Sequence, residues 1–147
     1  MNPAPDGDPV LGIDAGTVRV GVAASDPSLP VATPVAVLRR DAPRFWDSLL
    51  QLVRERGASH AVVGLPLRAD GGEGDAAQMA RTFAAELQRR SGCEVTLWDE
   101  RFTSQQAERS LLQGGMRRRQ RREHIDAVAA TLLLQSWLDH RYRAASP

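Results

Sequence analysis

Two short β-leaning runs, Val10-Leu11-Gly12-Ile13-Asp14 and Val20-Gly21-Val22-Ala23-Ala24, lie only five residues apart, and this spacing constrains the fold more than any other feature. The connecting Ala15-Gly16-Thr17-Val18-Arg19 contains a glycine and is far too short for a crossover between parallel strands, so a hairpin is expected. A third strand is expected over Val31–Leu38, where Pro30 and Pro34 favour an edge position.

After Pro43 the periodicity changes. Phe45, Leu49, Leu52 and Val53 recur at helical spacing, with Gly57 as a stop. His60-Ala61-Val62-Val63-Gly64-Leu65 is an apolar run ended by Pro66, the pattern of a strand buried on both faces. A polar, glycine-rich loop spans Arg68–Gly74. The apolar stripe Ala76, Met79, Ala80, Phe83, Ala84 and Leu87 then predicts a helix. Val95–Trp98 reads as a strand leading into Asp99-Glu100-Arg101. Thr103 and Gln106 fit a capping box for a helix through about Gln113, ended by Gly114-Gly115. A basic loop and a last helix, from about Glu123 to His140, complete the chain.

The predicted order is β-β-β-α-β-α-β-α-α. Three leading strands form an antiparallel meander, and two later strands join the same sheet in parallel through right-handed crossovers. The expectation is one α/β domain over residues 10–141, a five-stranded mixed sheet with helices on both faces. Residues 1–9 and 142–147 read as tails.

No apolar run approaches the roughly 20 residues a membrane helix needs. The N-terminus lacks the basic and apolar regions of a secretory signal, and the single Cys93 cannot form an internal disulfide, so a cytoplasmic protein is expected. Net charge is +1, but it is unevenly spread. Residues 1–100 carry 10 Arg against 14 acids, whereas residues 101–147 carry 9 Arg against 4. A basic C-terminal third is an electrostatic footprint suited to phosphate backbones.

Three places carry candidate chemistry. Asp14 ends an apolar strand, where an acid is costly unless paired, metal-bound or exposed; alternatively it accepts hydrogen bonds from the Gly16-Thr17 turn. Asp99 and Glu100 alternate in direction, so one of them is expected to share a site with Asp14, and periodicity does not choose between them. Either acid also suits the start of the following helix, and Asp126 suits the first turn of the last one. Together the acids from distant parts of the chain form a set of hard oxygen donors suited to Mg²⁺ or Mn²⁺. Two such ions activate a water and stabilise a leaving oxygen in phosphodiester cleavage.

Arg117, Arg118, Arg119, Arg121 and Arg122 form a basic run just before Asp126, either a solvated loop or a grip for phosphates. Thr17, Arg19 and Arg101 are the further expected contacts to nucleic acid. His60, His124 and His140 show no metal-ligand spacing, and Trp46, Trp98 and Trp137 read as packing residues. No aromatic platform for stacking single-stranded bases stands out.

Four ordered blocks resemble the YqgF/RuvX family: residues 12–23, Val63-Gly64-Leu65-Pro66-Leu67, Asp99-Glu100-Arg101-Phe102-Thr103-Ser104 and Asp126-Ala127-Val128-Ala129-Ala130. The resemblance runs from about residue 10 to 140. It implies a ribonuclease-H-like fold related to the RuvC Holliday-junction resolvases, and a nuclease of 16S ribosomal RNA 5′-end maturation or a junction resolvase. It also implies Asp14, Glu100 and Asp126 as catalytic, metal-holding acids. RuvC-type enzymes take an acid from the end of the fourth strand, where this chain has Gly64-Leu65-Pro66, so Glu100 must substitute or Asp70 must swing in. They also carry a second acid in the last helix, where this chain has Ala129.

Two rival readings exist. The Asp14-to-Thr17 block also resembles the first phosphate motif of actin-like kinases, but those need two lobes and 147 residues supply one. A non-catalytic RNA-binding module using the arginine run is the other. RNA and branched DNA are both candidate substrates, and junction resolution would call for a homodimer with two-fold symmetry.

Overall fold

The computed structural model describes residues 8–26, 29–102 and 127–145. Its strands are β1 (Val10–Ala15), β2 (Arg19–Asp26), β3 (Leu29–Arg39), β4 (His60–Leu65) and β5 (Glu94–Asp99). The described helices are α1 (Phe45–Arg56), α2 (Asp75–Ser91) and α3 (Val128–Ala145), with a 3-10 turn at Glu100–Phe102. The expected helix over 103–113 lies outside the described residues.

The sheet order is β3-β2-β1-β4-β5. β1 pairs antiparallel with β2 and β2 with β3, while β4 runs parallel to β1 and β5 parallel to β4. This is the mixed five-stranded sheet the sequence predicts. Pro34 sits in the edge strand β3, as its missing N–H requires. The ladder slips there, the partner of β2 jumping from Ala36 at Val22 to Pro34 at Ala23.

Strand alternation divides the core into two layers. Leu11, Ile13, Val20, Val22, Ala61 and Val63 face α1 and α2, where they meet Phe45, Leu49, Phe83 and Leu87. Val10, Ala23 and Val62 face α3 and pack against Ala130, Leu134, Trp137 and Leu138. Two details depart from the expected pattern. In α2 the buried face includes Ala77 rather than Ala76. Helix α3 runs to Ala145, five residues past His140, so its backbone takes in residues 142–145 of the expected tail.

Isolated polar residues behave structurally. The His60 ring meets Thr96 Oγ1 at 2.7 Å through Nε2 and packs on Trp137. Cys93 is buried and donates to the Ala58 carbonyl. Buried Gln135 of α3 accepts from the Ala32 N–H at 2.8 Å, tying the helix to the edge strand. No described helix is long and apolar enough to cross a membrane.

The seating of α3 depends on Gly12. A Cβ there would stand 2.6 Å from Leu134 Cβ and 3.0 Å from the Ala130 carbonyl, so only glycine lets the helix approach β1 this closely. Replacing Gly12 by Ala is therefore expected to destabilise the protein by about 1–3 kcal/mol through overpacking. Urea denaturation measures the loss, and removing the opposing Cβ, Leu134→Gly, should make the double variant lose less than the sum of the two single losses. Strictly additive losses would show that the two positions do not compete for space.

Candidate active site

Asp14 stands near the C-terminal end of β1, and Glu100 opens the 3-10 turn that follows β5. Between their strands lies β4. Neighbouring strands are about 4.8 Å apart, so side chains two strands apart meet only by reaching over the intervening one. The register makes this possible. Gly64 pairs with Trp98, and Ile13 with Val63, so the position between Asp14 and Glu100 is a glycine. An ideal Cβ on Gly64 would lie 2.5 Å from Glu100 Oε1 and 3.2 Å from its Cδ. The Glu100 side chain thus occupies the space that any other residue at 64 would fill. It forms a side-chain hydrogen bond with Asp14.

Alternation also separates Glu100 from Asp99. Val95 and Leu97 join the layers under α1 and α2, while Trp98 packs on the α3 side. Asp99 follows the first set and Glu100 the second. Asp99 is held by Arg101, whose Nε and Nη2 reach its carboxylate at 3.0 and 2.7 Å. Its Oδ1 also accepts the Arg101 N–H, and this partnership holds the Asp99 carboxyl below its ordinary range. Of the two adjacent acids, Glu100 is the one that joins Asp14.

The acid pair opens onto a cleft lined by Asp14, Glu100, Ala129, Leu132 and Leu133. Helix α3 supplies the apolar wall because Gly12 lets it come close. Burial raises the pKa of Asp14, an effect opposed by the hydrogen bond with Glu100. Burial first, and then the Asp14 charge, pushes Glu100 up to about 7. Protonated Glu100 donates to the Asp14 carboxylate, so the two acids share one proton near neutrality.

Other expected site residues separate clearly. Thr17 and Arg19 lie exposed on the hairpin just beyond Asp14. Arg101 is exposed and tied to Asp99. Asp70 does not swing toward the pair: it is exposed, accepts the Gly72 N–H and pairs with Arg68. Asp126 and the five arginines at 117–122 lie outside the described residues. Among the described residues, no group of three or more acidic, His or Cys side chains gathers.

Three residues around the site escape a reading of the sequence. Gly64 carries a signal, a glycine inside an otherwise buried apolar strand. Arg40 carries none: its Nη1 donates to the Gly16 carbonyl at 3.1 Å and its N–H to Val18, bracing the turn beside Asp14. Phe102, at the end of the 3-10 turn, is left 56% exposed.

Two measurements test the shared proton. In metal-free protein the folded pair keeps a proton up to about pH 7, whereas an unfolded glutamate releases it near its ordinary 4.5. The pair's contribution to stability is therefore complete below about pH 4.5 and fades as pH rises toward 7. Wild-type Tm in EDTA should fall relative to Glu100→Gln across this window, and parallel curves would refute the coupling. Gly64→Ala should change unfolding free energy by only about 1 kcal/mol, because the colliding group is the end of a flexible side chain. Its Glu100 carboxyl, followed by carbon NMR, should titrate nearer the ordinary value; an unchanged titration would show that position 64 does not govern the pair.

The family model described as "RuvX: Holliday junction resolvase" matches residues 8–140. A protein of Mycobacteroides abscessus named "Putative pre-16S rRNA nuclease" is 45% identical over 139 residues, covering 92% of this chain and 84% of the relative. One of Mycolicibacterium paratuberculosis with the same name is 47% identical over 148 residues, covering 97% and 88%. Among solved structures, T. thermophilus RuvC in complex with Holliday junction substrate superposes with a TM-score of 0.57 at 14% identity, covering 92% of this chain and 96% of that one. At that identity the likeness shows a shared fold; the family match over nearly the whole chain, with relatives 45–47% identical, makes this protein a member of the RuvX family.

Proposed function

We propose that this chain is a divalent-metal-dependent nuclease that hydrolyses phosphodiester bonds in maturation of the 5′ end of 16S ribosomal RNA. The observation that carries the reading is the Asp14–Glu100 pair, two carboxyls from separate strands brought together over Gly64 at the mouth of a cleft. The RNA substrate rests on relatives 42–47% identical that carry the name of a pre-16S nuclease. Work in the cytoplasm accords with that substrate.

The donor set fits a hard dication. Two crowded carboxyls repel one another when both are ionised, and a cation relieves that repulsion as well as a shared proton does. Their oxygens are the ligands Mg²⁺ and Mn²⁺ prefer. Asp126 is the proposed third donor; its chain neighbour Ala127 leads into α3, whose Ala129 lines the cleft. Bound ions, two of them in this proposal, supply water activation and leaving-oxygen stabilisation. The chain's own residues do the rest. Asp14 and Glu100 would hold the ions that face the reacting phosphate at the C-terminal ends of β1 and β5, and Leu132 and Leu133 keep bulk water off one side. Arg101, oriented by Asp99, is proposed to hold the backbone together with Thr17, Arg19 and the arginines at 117, 118, 119, 121 and 122.

Asp14→Asn and Glu100→Gln should each lower cleavage of precursor 16S RNA by at least about a hundredfold, the order expected for losing one charged group that acts in the transition state. Wild type and variants are compared on precursor RNA, single-stranded RNA and a four-way DNA junction, with Mg²⁺, Mn²⁺ or EDTA. Preference for the junction would favour the second reading, a resolvase acting on branched DNA as a homodimer, which the family description supports. Binding without cleavage under every metal condition would replace both with a non-catalytic RNA-binding module.

A further inference from the structure

Thr82, Ser91 and Thr131 each turn a hydroxyl back on their own helix, donating to the carbonyl four residues earlier at 3.0, 2.6 and 2.7 Å. Ser136 of α3 behaves differently. Its Oγ donates outward to the Phe102 carbonyl at 2.8 Å and accepts from Trp98 Nε1 at 3.2 Å. The roles are fixed by chemistry: an indole N–H can donate and a carbonyl can accept, so the group between them must do both. A hydroxyl does, and at this buried position an alanine would do neither.

Trp98 and Phe102 stand two residues to either side of Glu100, so one side chain grips both flanks of the segment that carries the acid. That segment needs the grip. Glu100–Phe102 is a single 3-10 turn, with poorer hydrogen-bond geometry than an α-helix and too short to sustain itself. Asp99 secures its start locally by accepting the Arg101 N–H at 2.9 Å. Ser136 ties its end to a different layer of the fold. From this base the Glu100 side chain must reach over Gly64 to Asp14, in space that a Cβ at 64 would fill. Such a reach tolerates little drift of the backbone beneath it.

The residue before Ser136 has a matching task. Gln135 accepts from the Ala32 N–H of β3, and β3 and β5 are the two edges of the sheet. Consecutive residues of α3 thus pin the helix to both margins, to β3 on one side and to the turn after β5 on the other. The same helix walls the cleft with Ala129, Leu132 and Leu133. The turn that delivers Glu100 and the wall beside it are held in one frame.

We propose that Ser136 is a positioning residue for Glu100: by bridging Trp98 and Phe102 it sets the turn from which that acid reaches Asp14. The proposal rests on the nuclease reading above for its effect on cleavage, while its effect on the acid pair is separable. Ser136 lies buried behind the turn, so it acts on ion affinity and turnover rather than on RNA binding.

The experiment titrates Mn²⁺ alone into the full chain by calorimetry. It then follows cleavage of precursor 16S RNA at saturating RNA and Mn²⁺. Ser136→Ala should weaken Mn²⁺ binding about tenfold to a hundredfold, the usual effect of losing a partner that orients a metal-holding side chain. The cleavage rate should fall by a similar factor, with RNA affinity at its wild-type value. Ser136→Thr keeps the hydroxyl and should restore both. Ser136→Cys, similar in size but a weak donor, should not, and it carries the comparison if the alanine variant fails to fold. Leu138→Ala, buried in the same layer of α3, should lower Tm yet bind Mn²⁺ as wild type does.

Unchanged Mn²⁺ affinity in Ser136→Ala, or equal weakening in Leu138→Ala, would reduce the serine to a stabiliser of the helix. Lost RNA affinity with Mn²⁺ binding intact would assign its neighbourhood to the substrate instead. If wild type binds Mn²⁺ more tightly than Ser136→Ala but cuts no RNA, the positioning role stands and the nuclease reading fails. If wild type binds no Mn²⁺, the positioning role fails as well.

Discussion

The arrangement of this protein turns on one carboxyl lying across one glycine. Glu100 meets Asp14 over two strand spacings because Gly64, on the strand between them, has no side chain. Burial is the first cause of the raised pKa of Glu100, and that contact raises it further, so that the two acids share a proton at the C-terminal ends of β1 and β5. The same contact solves a chemical problem posed by the strand order. An acid delivered directly by β4 would lie beside β1; here the acid comes from one strand further out and is carried inward by a longer side chain. A shorter aspartate at 100 would have less reach, which gives a physical reason for glutamate at that position.

Two glycines on one face of the sheet have different tasks. Gly12 clears backbone for backbone and helix, so it determines how closely α3 approaches and therefore where Leu132 and Leu133 wall the cleft. Gly64 clears room for the end of a side chain, so it shapes the site while barely touching the fold. The adjacent arginines extend the pattern outward. Arg40 braces the hairpin behind Asp14, and Arg101 is oriented by the acid that the pair does not use. Asp99 thus acts on a cation rather than competing for one, which keeps two neighbouring acids from working against each other.

Much of this fold is legible in the order of residues. Short connections dictate the antiparallel meander, since a five-residue link between Val10–Asp14 and Val20–Ala24 leaves no other pairing. The unbroken run at His60–Leu65 announces a strand buried on both faces, and the proline-bounded third strand announces an edge. Helix phase is less secure. The buried face of α2 is centred nearer Ala77 than Ala76, because alanine is small enough to fit either the core or the surface. The end of α3 is also hard to read from periodicity, since its backbone continues past the last strongly periodic residues.

The site divides along the same line. Sequence alone determined the sheet and the presence of acids at strand ends, because these depend on local spacing and residue type, while the family resemblance implied Asp14 and Glu100 as the paired acids. Local spacing placed Asp99 and Glu100 on opposite faces without saying which face Asp14 shared. The resemblance names Glu100, but the physical reason lies only in the tertiary structure, because it depends on the register of three strands and on which face each helix covers. The tertiary structure also decided that Asp70 stays away, that Arg40 braces the hairpin and that Phe102 stands exposed on a pinned turn. Arg40 and Phe102 are placed by contacts between residues far apart in the chain, and no pattern of neighbours along the sequence encodes them.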